Sequence, residues 1–300
     1  MKQNTLKENA MLTDRSAYLY VEHAIVEQEN SSVSIIQGNR HTPVPIASLC
    51  CLMLGPGVSV THRAIEAIAE SGCLVVWVGE DYRAFYANGI DENRSSKNFL
   101  KQMEYAADPV KHLQVVRWMY KQRFPNMDRR GMDLEQMRGA EGKRMKELYQ
   151  KYAATYQVQW NGRQYDDEWD SQEPIQQAIT VGNKLLYNVC HSAILALGFS
   201  PTIGFIHTGT MRSFVYDISD LYKSEIVIPT AFQSVSQTEN TALLRLKIKN
   251  KIEECDLLSK IGKDLYAMFN IRKSNVEQES QGYLWAGDQT VLGGINYDSP

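Results

Sequence analysis

Hydrophobic positions along this 300-residue chain change their period once. From Tyr18 to Ala87 they fall in short runs, Tyr18 to Val21, Val33 to Ile36, Ser48 to Leu54 and Leu74 to Val78, parted by polar clusters such as Glu29-Asn30-Ser31-Ser32. Runs of that length, rich in branched side chains, predict strands. One helix interrupts them: Thr61 is placed to accept from its first turn, Ile65 and Ile68 fall on its inner face, and Gly72 stops it. Beyond the polar bridge Asp91 to Lys97 the spacing becomes helical and largely stays so. The pattern therefore predicts an α+β chain. Residues 1–96 form a small β-rich domain, sandwich-like with one helix. Residues 97–272 form a larger all-α domain, and 273–300 a flexible tail bearing one apolar island, Tyr283-Leu284-Trp285.

Within the helical part, Asp108-Pro109 supplies a cap and a first-turn proline, after which Leu113, Val116, Tyr120 and Phe124 line one face of a helix that also carries Arg117, Lys121 and Arg123. Asp133 and Gln136 have the spacing of a capping box, opening a helix with the apolar stripe Leu134, Met137, Met145, Leu148 and Tyr152. Trp160-Asn161-Gly162-Arg163 predicts a two-residue hairpin turn, its aromatic side chains anchoring the hairpin to the body. A long buried helix follows from Pro174 to Leu197, ended by Gly198. Leu243 to Lys251 alternates like a strand, but its length and neighbourhood favour helix, and a last helix carries Leu257, Leu258, Ile261, Leu265 and Met268.

Two breaks in these patterns carry chemistry. Glu141 occupies the gap in the apolar stripe between Met137 and Met145, so a carboxylate faces the core. Burying it costs several kcal/mol unless a cation pairs with it, either a metal or a guanidinium from Arg138, Arg144 or a more distant arginine. His207 sits in the glycine-bracketed loop Gly204-Phe205-Ile206-His207-Thr208-Gly209, and Asp217 and Asp220 follow, three apart on a helix. Two carboxylates on one face repel unless a cation, a shared proton or water relieves them. A divalent metal is the simplest relief; the plain alternative is the solvated side of a helix that buries Phe214, Ile218 and Leu221.

Composition narrows the setting. With 32 basic and 35 acidic residues the net charge is -3, which excludes a uniformly basic nucleic-acid binder and leaves only local basic strips. The five cysteines, Cys50, Cys51, Cys73, Cys190 and Cys255, form no C-x-x-C pair and mostly lie in apolar runs, which points to a reducing, cytoplasmic compartment. The polar N-terminus lacks the apolar core of a signal peptide, and no apolar run is long enough to span a membrane.

The β-rich front, Gln136-Met137-Arg138-Gly139-Ala140-Glu141-Gly142, Trp160-Asn161-Gly162-Arg163, and Gly204 to Gly209 running into Phe214-Val215-Tyr216-Asp217-Ile218-Ser219-Asp220 together resemble the CRISPR-associated spacer-acquisition integrase, type I-E branch. The resemblance runs in order from about Asp14 to Lys223 and more weakly to about residue 270. It implies that Glu141, His207 and Asp220 bind the divalent metal, with Asp217 an acidic neighbour in the catalytic set. Two carboxylates and an imidazole suit Mg2+ or Mn2+. The implied reaction is transesterification, in which the 3′ hydroxyl of a short DNA fragment attacks a phosphodiester at the repeat boundary of the CRISPR array; with water as nucleophile the same site is a DNA endonuclease.

The resemblance also implies a homodimer, two of which are bridged on double-stranded DNA by a small ferredoxin-like adaptation protein. Arg138, Arg163, Arg245 and Lys247 are then candidate phosphate contacts, and Tyr165, Trp169, Tyr187 and Tyr216 candidate braces for frayed ends. Ser59 and Glu66 stand where relatives carry DNA-clamping arginines, His23 where they carry a bracing tyrosine, and Thr210 where they carry a lysine. Those substitutions keep open a DNA-binding scaffold with weak catalysis, or a nuclease on branched repair intermediates.

Overall fold

The computed structural model describes residues 17–29, 32–79, 85–89, 96–125, 132–163, 172–271, 283–285 and 290–292. The front of the chain contains β1 (Ala17–Val21), β2 (Ile25–Glu29), β3 (Ser32–Gln37), β4 (Arg40–Val44), β5 (Leu49–Leu54), β6 (Ser59–Val60), α1 (His62–Glu70), β7 (Leu74–Val78) and β8 (Phe85–Gly89). They build two four-stranded sheets, ordered β1-β5-β7-β8 and β4-β3-β2-β6. In the first, β5 runs parallel to both β1 and β7, with Leu54 opposite Val21 and Trp77, and β8 closes the edge antiparallel.

The apolar run 49–54 is explained by this arrangement. Side chains alternate across a strand, so Leu52 and Leu54 enter the core shared with the second sheet and α1, while Cys51 and Met53 face Leu195 of the helical part. A strand covered on both faces has no polar face to show. Thr61 caps α1 by accepting from the Ala64 amide at 3.3 Å, as its sequence predicts. The inner face of α1 differs from the expectation: Ala64, Ala67 and Ile68 are buried, and Ile65 only partly. The small side chains let the helix lie close to the sheet.

The helical part comprises α2 (Lys97–Ala107), α3 (Pro109–Arg123), α4 (Leu134–Tyr156), α5 (Pro174–Ala196), α6 (Ser213–Asp220), α7 (Lys223–Ser236), α8 (Thr241–Glu254) and α9 (Leu257–Met268). The Asp133 capping box is formed in full, with the Gln136 amide donating to Asp133 at 2.8 Å and the Asp133 amide to the Gln136 side chain at 3.0 Å. The helix α5 is the axis of the domain, buried over nearly its whole circumference and packed by α6, α7, α8 and α9. A Cβ on Gly182 would come within 2.6 Å of Val227 and 2.9 Å of Ile248, so this glycine sets how closely α7 and α8 approach. Among the described residues no helix is long and apolar enough to cross a membrane.

One expectation is corrected. Residues 158–163 carry no strand, although Gly162 takes the positive φ (+96°) that a turn requires; Trp160 stacks instead on Tyr149 with ring centroids 4.6 Å apart and meets Phe232 edge-on. Packing of the indole on the core, as anticipated, outweighs pairing of the backbone. Within residues 273–300, expected to form a flexible tail, β9 (Tyr283–Trp285) pairs antiparallel with β10 (Thr290–Leu292), so the apolar island is a strand; the rest of that segment lies outside the described residues.

Burial on α5 also sets a pH dependence. His191 is buried and its pKa falls from the ordinary 6.5 to about 4, chiefly through burial. Between those values the unfolded chain binds the proton and the folded chain does not, so stability is lost as pH falls through that window. At pH 5 the loss from this residue is about 2 kcal/mol. Urea titrations at pH 7.5 and 5 are expected to show the gap between the two midpoints narrowing in His191→Gln.

Candidate active site

The site is organised around the loop joining α5 to α6, whose backbone polar groups are met by side chains from four helices. From α2, Asn98 donates to the Leu197 carbonyl at 2.7 Å; the fully buried Gln102 donates to the carbonyls of Ser200 and Ile203 and accepts from the Ser200 amide. From α3, His112 Nε2 lies 2.9 Å from the Phe205 carbonyl, and from α4, Arg138 donates to the Ile206 carbonyl at 2.9 Å. From α6, Asp217 Oδ2 accepts the amides of Phe205 (2.6 Å) and Ile206 (3.1 Å), while Oδ1 accepts the His207 amide (2.9 Å) and lies 2.8 Å from His207 Nδ1. The buried amides and carbonyls of such a loop must be paired in this way, and here the pairing fixes the imidazole.

Gly204 is a required residue of the same loop. A Cβ there would sit 2.2 Å from the His207 carbonyl oxygen and 2.9 Å from Ser213. Gly204→Ala is expected to destabilise the chain by about 2 kcal/mol through that overlap, seen as a lowered urea midpoint, and to displace His207.

Asp217 therefore departs from its expected place. Neither solvated nor a wall of the site, it is 1% exposed and lies behind the histidine. Three helical residues stop about 60° short of a full turn, which is enough to send Asp217 under the loop and Asp220 into the cavity. Its hydrogen bond holds the His207 pKa above the ordinary value, opposed by burial. With Nδ1 engaged by Asp217, Nε2 is the ring nitrogen left for another partner.

A cavity of about 380 Å³ unites the remaining candidates: Glu141 from α4, His207 from the loop, Asp220 and Tyr216 from α6 and Tyr187 from α5, with Arg123, Lys223 and Ser224 from the flanking helices. The rings of Tyr187 and Tyr216 meet edge-to-face at 5.1 Å, and Tyr216 lies 5.8 Å from the His207 ring. Burial pushes the Tyr187 hydroxyl pKa up and that of Lys223 down, the latter opposed by Asp220. Glu141 Oε2 accepts from Tyr120 Oη at 2.8 Å, and Oε1 accepts from Arg123 Nη2. Of the ionic partners considered for Glu141, the distant arginine is the one observed.

The candidate DNA contacts divide. Tyr187 and Tyr216 line the cavity. Arg138 is exposed on α4 with its guanidinium on the loop, and Arg163 is a strut, donating to Gln176 Oε1 at 2.6 Å and Thr180 at 2.9 Å. On α8, Arg245 is half-buried and Lys247 pairs with Glu239 at 2.7 Å; neither lines the cavity. Tyr165 and Trp169 lie outside the described residues. Ser59, Glu66 and His23 are exposed on the β-rich front, and Thr210 binds Ser213 inside its loop.

The family model described as CRISPR associated protein Cas1 matches residues 17–134 and 127–243. The chain belongs to the Cas1 family. It is similar, at 40% identity over 97% of its length and 93% of the other, to the CRISPR-associated endonuclease Cas1 2 of Thermus thermophilus. It is 36% identical, over 96% and 98% of the two chains, to the CRISPR-associated endonuclease Cas1 of a Clostridium species. Among solved structures, a TtCas1–DNA complex superposes with a TM-score of 0.73 at 43% identity, covering 84% of this chain and 95% of that one. The β-rich front and helical second part are thus the Cas1 fold.

The donor set of this Cas1-family chain fits a hard divalent ion, since two carboxylates and an imidazole line one cavity. As the side chains stand, no three His, Cys, Asp or Glu groups among the described residues converge closely enough to hold one. Arg123 stands between Glu141 and Asp220 instead, 3.7 Å from the latter. In the sequence Tyr120 falls within an apolar stripe and Arg123 carries no assigned role. Their separation of three on one helix, with an arginine prolonging an apolar face, is the signal that marks both.

Proposed function

We propose that this chain is a divalent-metal-dependent DNA endonuclease and integrase of CRISPR adaptation, of the type I-E branch, that joins short DNA fragments to a CRISPR array. The observation that carries this reading is one cavity collecting Glu141, His207 and Asp220 from three separated segments of a Cas1-family chain. The naming of relatives as endonucleases, and one solved with DNA, supports it. Glu141, His207 and Asp220 would hold Mg2+ or Mn2+. When bound, such an ion draws charge from a non-bridging phosphate oxygen and from the departing 3′ oxygen.

The protein's own residues position the reactants. Asp217 keeps the His207 ring oriented with Nε2 toward the cavity, and Lys223 and Arg123 place positive charge where a phosphate would lie. Tyr187 and Tyr216 give flat aromatic walls on which an unpaired base can stack. In strand transfer, the fragment's 3′ oxygen forms a new bond to phosphorus, the target's P–O3′ bond breaks, and the released 3′ oxygen takes up the proton the nucleophile loses. The number of phosphodiesters is unchanged; with water as nucleophile it falls by one.

A homodimer bridged to a second by a small ferredoxin-like protein, acting on double-stranded DNA in the cytoplasm, completes the proposal. The test is transfer of a labelled fragment bearing a free 3′ hydroxyl into a plasmid carrying a repeat array, with that partner protein present. Joining is expected in Mg2+ or Mn2+ and none in EDTA. Fragment capture without joining in any divalent ion would overturn the reading in favour of a DNA-binding scaffold, which the non-convergence of the present ligand side chains favours.

A further inference from the structure

Arg123, at the end of α3, is the least exposed charged group at the cavity, its side chain 5% accessible. Its Nη2 donates to Glu141 and lies 3.7 Å from Asp220, while its guanidinium packs 5.2 Å from the Phe124 ring. One arginine therefore bridges carboxylates that lie 79 positions apart in the chain (220 − 141). Tyr120, one turn earlier, takes the other Glu141 oxygen, and Lys223 flanks Asp220 at 3.8 Å.

We propose that Arg123 is the resident counter-cation of the Glu141–Asp220 pair, that a divalent ion binds by displacing its guanidinium, and that this displacement sets the metal affinity. The inference rests on the metal reading given above and adds to it which residue the ion must compete with. Arg123 acts on the ion through the carboxylates and is a positioning residue.

Three observations converge. First, electrostatics: Arg123 and Lys223 already supply two positive charges to the two carboxylates, so a further double charge meets repulsion unless one cation withdraws. Second, geometry: the carboxylates are oriented on the guanidinium, and the ligand side chains do not converge while it is between them. Third, the bridge is incomplete. Arg123 Nη1 is buried and has no hydrogen-bond partner among the described residues, so the seated guanidinium retains an unsatisfied donor. Leaving a buried donor unpaired is unfavourable, which makes the bridge displaceable where a fully satisfied one would resist. Arginine suits this part because it stays charged at any physiological pH and its fork can span two carboxylates.

The test measures Mn2+ binding to the full chain by calorimetry and by the electron paramagnetic resonance of free Mn2+, without DNA. Arg123→Gln is expected to bind Mn2+ about tenfold more tightly than the unmodified chain, the size of a typical coupling between competing ligands. It is also expected to melt at lower temperature in EDTA and to recover on adding Mn2+. Arg123→Lys, which keeps a cation able to reach only one carboxylate, is expected to fall between the two. In Arg123→Ala, millimolar guanidinium should weaken Mn2+ binding competitively and raise the melting temperature in EDTA, a response that a purely structural role for the side chain does not produce.

Equal or weaker Mn2+ binding by Arg123→Gln, with binding by the unmodified chain lost in Glu141→Gln, would overturn this inference and leave the metal reading standing. If the unmodified chain and Arg123→Gln, both folded by circular dichroism, bind no Mn2+, the metal reading and this inference fail together. Should Arg123→Gln not fold, unchanged affinity in Arg123→Lys is the overturning result.

Discussion

Glu141→Gln is expected to reduce metal-dependent strand transfer by roughly 10²–10³-fold, or about 3–4 kcal/mol of barrier. The amide nearly preserves the shape of the carboxylate, so Arg123 keeps an acceptor and Tyr120 a neighbour, while the charge that would hold the ion is removed. Because Asp220 still lies 3.7 Å from Arg123, the freed guanidinium is not left without a counter-ion, and folding should survive. Joining rates in Mg2+ under saturating fragment, with circular dichroism as the control for folding, measure the effect. A variant that joins at the unmodified rate would remove Glu141 from the site.

The second large effect belongs to Asp217. Asp217→Ala is expected to cost about 3–5 kcal/mol of stability, because three backbone amides and one ring nitrogen lose their shared acceptor inside the protein. Asp217→Asn separates folding from function. Its carbonyl can still accept from Phe205 and Ile206, but its NH2 then faces His207 Nδ1, which must become the acceptor. That inverts the imidazole tautomer and leaves Nε2 carrying the proton, unable to ligate a metal. The asparagine variant should therefore lose at least about tenfold in Mn2+ affinity while keeping more stability than the alanine variant. Calorimetric Mn2+ titration alongside urea denaturation distinguishes the two, and equal Mn2+ affinity in Asp217→Asn and the unmodified chain would refute the tautomer argument.

How much of this was legible before the fold was known depends on the range of the forces involved. The caps at Thr61 and Asp133 and the stop at Gly198 are readable because each acts within one turn of its own helix. Glu141 was conspicuous because a carboxylate broke a local period, and His207 because glycines bracketed it. Asp217 was misplaced, as spacing along a helix says which residues are neighbours and not which of them the next loop will cover. The strand expected before Asn161-Gly162 is missing from the described residues for a similar reason: turn chemistry permits a reversal, but whether a strand forms beside it depends on what Trp160 packs against.

The sequence by itself determined the elements and their chemistry: a strand-rich front, a helical second part, and two carboxylates with one imidazole set against their local patterns. Those are short-range matters of period, capping and burial cost. Only the tertiary structure decided that α3 delivers Arg123 between Glu141 and Asp220, and that Asp217 serves the histidine from behind. Coulomb attraction and hydrogen bonding act over a few ångströms of space, and only folding brings residues from α3, α4, α6 and the His207 loop within that reach.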